Sequence, residues 1–290
     1  MADCPLIFDR DPPCISRCRV EGEYDENLPL SAVQDMLRQC VDSLSDWDEV
    51  TLDEALFTVE RMALLLKGRV KIPPDALAKM CDVATGTKEA LTGVSHPQLW
   101  EVYLRIGDVQ MSCGDAEVAE DSYTEAFLLE DANVEVWNNL GLAKKRRGDV
   151  EGARESYERA VKMEPDYPQA WFNLGMLQFE LEEMDGAKKA FMRVIRLDPA
   201  NPVALNNLGV ILRREGLLEE ALKLFNRSLE LLPDYAKAWH NKGITLVNLE
   251  REEQGVKCIY NALRLQPDLS DAKEELEKLG YGVSNDTSLN

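Results

Sequence analysis

An all-α fold of stacked helical hairpins is what this 290-residue sequence predicts, and three observations carry the prediction. Glycine recurs at Gly107, Gly141, Gly175, Gly209 and Gly243, each 34 residues after the last. A small residue follows each of them (Ala119, Ala153, Ala187, Ala221 and Gly255), and a large apolar one comes four later (Tyr123, Tyr157, Phe191, Phe225 and Ile259). Pro165, Pro199, Pro233 and Pro267 lie near the ends of four units, with Asp131 in the equivalent place of the first. A period of this length marks an array in which each unit is one supersecondary element.

Taken in order, residues 1–28 mix proline with both signs of charge and are expected to be disordered. Residues 29–99 are expected to form a helical extension packed on the first repeat. SAVQ at Ser31 and TLDE at Thr51 are capping boxes that open helices near 31–45 and 51–67. Pro73-Pro74 begins a third helix reaching about Leu91. These segments read equally as degenerate repeats or as a separate bundle. Five units follow, at 100–133, 134–167, 168–201, 202–235 and 236–269. Each has the pattern of two helices. In the second, Val134, Trp137, Leu140 and Leu142 keep helical spacing until Gly148 stops the first helix. Ala153, Tyr157, Ala160 and Val161 form the stripe of the next helix, which ends at Glu164 because a residue before proline avoids the helical region. The glycine and alanine positions let the paired backbones approach closely. A lone hairpin cannot bury its apolar face, so stacking supplies the core. In 270–280, Ala272, Leu276 and Leu279 share one face of a solubilising end helix that stops at Gly280, and 281–290 reads as a loose tail.

With WNNLG at Trp137, WFNLG at Trp171, LNNLG at Leu205 and WHNKG at Trp239 in one register, the chain resembles the tetratricopeptide repeat (TPR) family, over 170 of 290 residues. That resemblance implies a right-handed α-α superhelix whose first helices line a concave groove. It departs from the family pattern at Tyr103 and Leu205, which replace Trp, and at Lys242, which replaces an apolar residue. The tryptophans at 137, 171 and 239 read as wedges between paired helices, not ligand contacts.

The resemblance also places candidate binding residues. Asn139, Asn173, Asn207 and Asn241 fall at the sixth position of consecutive units, which faces the groove in the family. An amide both donates and accepts, so such a ladder suits the main chain of an extended peptide; its alternative role is to brace neighbouring hairpins. Asn138, Asn206 and His240 occupy the fifth position. Leu142, Met176, Val210 and Ile244, at the ninth, make an apolar strip suited to an extended or helical segment. The carboxylate-clamp pattern of chaperone-tail binders, Lys at the fifth and Asn at the ninth position of one repeat, is absent. Lys145, Arg146, Arg213 and Arg214 lie late on their helices, with Lys237 nearer a start. They either read acidic groups of a ligand or satisfy helix C-termini.

Composition limits the remaining classes. Thirty-three Lys and Arg stand against 53 Asp and Glu, a net charge of −20 that repels nucleic-acid phosphates and anionic membrane. No apolar run exceeds Met62–Leu66, far below the roughly 18 residues of a membrane span. The N-terminus lacks the order of a secretory leader, and seven unevenly spaced cysteines do not suggest a disulfide framework, so a reducing cytoplasm is expected. Cys81, Cys113 and Cys258 read as buried thiols. No P-loop, dinucleotide fingerprint or HExxH occurs and the two histidines have no triad context, so no enzyme activity and no cofactor are expected. The expected function is a non-catalytic scaffold that binds a protein or peptide partner, with self-association left open. Two alternatives stand beside it. One is a metal- or redox-responsive interaction protein using Cys4, Cys14 and Cys18, whose fourth ligand would be Cys40 or His96. The other is an enzyme with an unrecognised N-terminal site.

Overall fold

The computed structural model describes residues 74–91 and 99–282. Among the described residues every regular element is a helix, as the repeat pattern requires. The expected helices at 31–45 and 51–67, the disordered start, Cys4, Cys14, Cys18, Cys40, His96 and most of the tail lie outside them. The chain divides into two compact units between Arg147 and Gly148, inside the turn of the second repeat.

In the first unit, α1 (Pro74–Ala90) packs against α2 (Leu99–Cys113), α2 pairs with α3 (Ala116–Leu129), and α3 packs on α4 (Val134–Arg147). Its core joins Met80 and Ala84 of α1 to Val102, Ile106 and Val109 of α2, Tyr123 and Ala126 of α3, and Val136 and Leu140 of α4. Cys81 on α1 and Cys113 on α2 correct the reading of both as buried free thiols. They are half-buried and form a disulfide, with Cα atoms 6.4 Å apart. Spacing along the sequence, 32 residues, gave no sign that the extension would lay one beside the other. Cys258 is a buried free thiol, its pKa pushed up by burial.

The second unit holds α5 (Val150–Met163), the pairs α6 (Pro168–Glu180) with α7 (Met184–Leu197), α8 (Pro202–Arg214) with α9 (Leu218–Leu231), and α10 (Ala236–Asn248) with α11 (Glu252–Leu265), then α12 (Ser270–Lys278). Each element packs on the next, and α12 covers α11 with Ala272 and Leu276, both fully buried. The 34-residue positions are the core positions: Ala153, Ala187 and Ala221, then Tyr157, Phe191, Phe225 and Ile259, are all fully buried.

Local chemistry sets the helix ends. Asp115, Asp149 and Asn201 cap α3, α5 and α8 by accepting the backbone N–H of Val118, Gly152 and Ala204. Glu164, Asp198, Leu232 and Gln266, each before a proline, leave the helical region at φ −129°, −129°, −136° and −136° and end the second helices. The tryptophans use the loops so formed: the indole Nε1 of Trp137, Trp171 and Trp239 donates to the carbonyl of Asp131, Pro165 and Pro233 at 2.9, 2.9 and 2.8 Å. They are half-buried, so they anchor each first helix to the preceding loop as well as packing. In the fourth repeat Leu205 takes the tryptophan position and Arg227 donates to the Pro199 carbonyl instead.

The turn within each hairpin places one residue in left-handed backbone. Gly114, Gly148 and Gly216 adopt φ of 93°, 87° and 80° there, and Glu182 and Glu250 adopt 60° and 61°. After Gly114, Glu182, Gly216 and Glu250 the following N–H returns to the carbonyl five residues earlier, as in Glu183 to Gln178 and Leu217 to Leu212, which closes the first helix with a Schellman turn. No described helix is long and apolar enough to cross a membrane.

Candidate functional site

The sixth position carries an amide in four of the five repeats, with Arg105 in the first, and Asn139, Asn207 and Asn241 are held by other side chains. In the second unit Asn173 (α6), Asn207 (α8) and Asn241 (α10) are half-buried. Asn241 donates to Asn206 Oδ1 at 3.0 Å, Asn206 donates to Asn207 Oδ1 at 3.3 Å, and Asn207 donates to Met176 Sδ at 3.1 Å. This chain of bonds runs across α10, α8 and α6 and fixes how the amides are turned. It does not exhaust them, because an amide has two N–H donors and two lone pairs. Beside the amides, Met176 and Ile244 are half-buried and Val210 is 9% exposed.

Asn138 and Asn206, expected to face the groove, are 5% and 3% exposed. Each spends an N–H on the amide that follows it in sequence, and so helps to fix how that amide is turned. His240 is buried as well, at 9% exposed.

Around Asn139 in the first unit the arrangement is closed. Asn139 donates to Asp108 Oδ1 at 2.9 Å and accepts from Asn138 at 3.0 Å. The same Asp108 accepts from Tyr123 Oη at 3.0 Å and from Arg105 at 2.9 Å, and Arg105 also grips Glu135. Burial opposes the Arg105 charge, but Glu135 and Asp108 more than offset it and hold its pKa above the ordinary value. Burial, then the Asp108 charge, pushes the Tyr123 hydroxyl well above the usual tyrosine range. The sequence reading missed this lattice. Its one visible signal was Asp108, the polar residue in an otherwise apolar set of ninth positions. Leu142, the first unit's apolar ninth-position candidate, is half-buried against the core.

The basic candidates separate by what they touch. Arg146 donates to the Met111 carbonyl at 2.7 Å, satisfying the last turn of α2. Arg214 lies over the Phe179 ring, 5.3 Å from its centroid. Lys145 is half-buried and Lys237 is exposed. Arg213 differs from these: it is half-buried, and its Nε is buried without a hydrogen-bond partner among the described residues. Burial and the neighbouring Arg214 lower its pKa, opposed by Glu275. His240 Nε2 is likewise buried and unpartnered, and burial lowers the histidine pKa against the pull of Asp271 and Glu275. No group of three or more His, Cys, Asp or Glu able to hold a metal ion occurs among the described residues.

Models of the tetratricopeptide repeat match residues 101–133, 139–202, 202–235 and 236–269, together more than half of the chain. No curated protein sequence matches it. Among solved structures, YrrB, described as "a TPR protein with an unusual peptide-binding site", is 24% identical with a TM-score of 0.52, over 61% of this chain and 91% of that one. MamA (41-end) from Desulfovibrio magneticus RS-1 is 19% identical, with a TM-score of 0.53, over 59% and 97%. The pilF protein of Pseudomonas aeruginosa is 17% identical, with a TM-score of 0.64, over 78% and 98%. At these identities the likeness is one of fold.

Proposed function

This chain belongs to the tetratricopeptide repeat family, and from that premise we propose that it is a non-catalytic interaction module that takes an extended or helical segment of a partner protein along Asn173, Asn207 and Asn241. The family generally mediates contacts between proteins. The single observation behind the finer reading is the bonded amide chain of the second unit. Asn207 keeps one side-chain N–H and one lone pair, and Asn241 keeps one side-chain N–H and its Oδ1, with no bond to another described residue. Amides already turned by their neighbours lose little side-chain entropy when a peptide main chain pairs with them. Met176, Val210 and Ile244 offer an apolar contact alongside. YrrB, a structural neighbour, is described as having a peptide-binding site.

The test uses the intact chain to capture a partner and then measures affinity for Asn173→Ala combined with Asn207→Ala. Affinity is expected to fall about tenfold, the equivalent of roughly 1.4 kcal/mol, with helicity unchanged. Folding should lose about 1 kcal/mol, because the buried Asn206 N–H is left without its acceptor. A stability loss with affinity intact would mean that the amides only brace the repeats.

A further inference from the structure

At the C-terminal end of the second unit, three helices bring together groups that the amide chain does not use. Arg213 stands in the last turn of α8 on the same stripe as Asn206 and Val210, spaced i, i+4 and i+7. His240 stands on α10, four residues before Ile244. Asp271 and Glu275 come from α12. The four side chains are close enough for His240 to feel the charges of Arg213, Asp271 and Glu275, and for Arg213 to feel Glu275. His240 has a backbone hydrogen bond with Asp271 and is only 9% exposed, yet Arg213 Nε and His240 Nε2 are both buried without a partner among the described residues.

A buried polar atom with no hydrogen bond is costly, so two of them on neighbouring repeats call for a ligand. Among the described residues Arg154 pairs with Glu183, Lys188 with Glu215 and Arg193 with Asp166, whereas Arg213, half-buried, makes no ion pair.

We propose that Arg213 and His240 form an anion pocket between α8, α10 and α12 that receives one carboxylate of the bound segment, a Glu or Asp side chain. This rests on the groove reading above and names the chemistry of its ligand at that end. A carboxylate fits better than a phosphate. A guanidinium grips a carboxylate in a bidentate manner, whereas Asp271 and Glu275 beside the pocket would repel a dianion. Burial lowers the His240 pKa and so favours the neutral imidazole when the pocket is empty. An arriving carboxylate favours the imidazolium, so binding takes up a proton and strengthens as pH falls through the histidine range.

The experiment follows the His240 side chain by NMR in the full chain, its signal assigned by loss in His240→Gln. N-acetylglutamate N-methylamide is titrated in parallel with the uncharged glutamine analogue. A saturable displacement by the glutamate probe alone, stronger at lower pH until the probe's own carboxyl protonates near about 4.3, is expected. In Arg213→Gln the apparent Kd should rise about tenfold, the equivalent of one charge-assisted bond. Equal displacement by both probes, or by neither, overturns the proposal, and this comparison needs no variant to fold. If the glutamate effect is missing while Asn173→Ala with Asn207→Ala still weakens a captured partner, the pocket fails and the groove reading stands. If the glutamate effect is present while those amide variants are inert, the groove reading is what fails.

Discussion

At the scale of single residues, two features set stability against a neighbour in the repeat pattern. Tyr157 is fully buried, and its hydroxyl has no partner among the described residues. Burial, then the charge of Glu180, pushes its pKa up. Its counterpart Tyr123 reaches Asp108, while Phe191 and Phe225 fill the same position without a hydroxyl. Tyr157→Phe is therefore expected to leave folding unchanged or raise it by up to about 1 kcal/mol, and urea unfolding would read the change. Glu182 and Glu250 occupy left-handed backbone where three other repeats have glycine. A side chain there costs about 1–2 kcal/mol, partly recovered because glycine has more freedom to lose on folding. Glu182→Gly and Glu250→Gly should each raise stability by about 0.5–1 kcal/mol, and a lower thermal midpoint in both would contradict the strain argument. Glycines 114, 148 and 216 were legible in register, but which conformation a glutamate adopts at the matching place was not.

At the scale of elements, hairpin pairing depends on how closely two backbones approach. Gly243 on α10 and Gly255 on α11 face each other: a Cβ built at Gly243 would lie 2.6 Å from Ile259 Cγ1 and 2.8 Å from the Gly255 carbonyl oxygen. Backbone cannot step aside as a side-chain tip can, so Gly243→Ala should separate α10 from α11 and cost about 1–3 kcal/mol or more. Hydrogen exchange would show the loss as earlier opening of α10–α12, and unchanged protection there would refute it. The small-residue positions were readable from the sequence because steric exclusion acts the same way in every repeat. The amides were only half readable. Their sixth-position register was plain, but the bonds from Asn241 to Asn206 and from Asn207 to Met176 join residues of different helices, and no local spacing encodes them. The same holds for the arginines, where Arg146 ends on a helix carbonyl and Arg213 Nε finds no hydrogen-bond partner among the described residues.

For the whole molecule the relevant property is net charge, which the repeats carry unevenly: 100–133 is strongly acidic, whereas 134–167 balances seven acidic against seven basic residues. A net charge of −20 repels itself in the folded state more than in the expanded chain. Surface pairs such as Lys188 with Glu215 contribute little against that. Raising monovalent salt from about 20 to 200 mM, which shortens the screening length from about 20 to about 7 Å, should raise the thermal midpoint, whereas a fall would mean that attractive pairs outweigh the repulsion. The sequence by itself determined the all-α repeat fold, the helix limits and the core positions, because helix stops, proline geometry and close packing depend on residues within one 34-residue period. Tertiary structure alone decided the rest: that Cys81 meets Cys113, that Asp108 ties up Asn139, and that Arg213 and His240 lie together beside α12. Those outcomes turn on distances between side chains from separate helices, which a repeat pattern constrains only in their backbones.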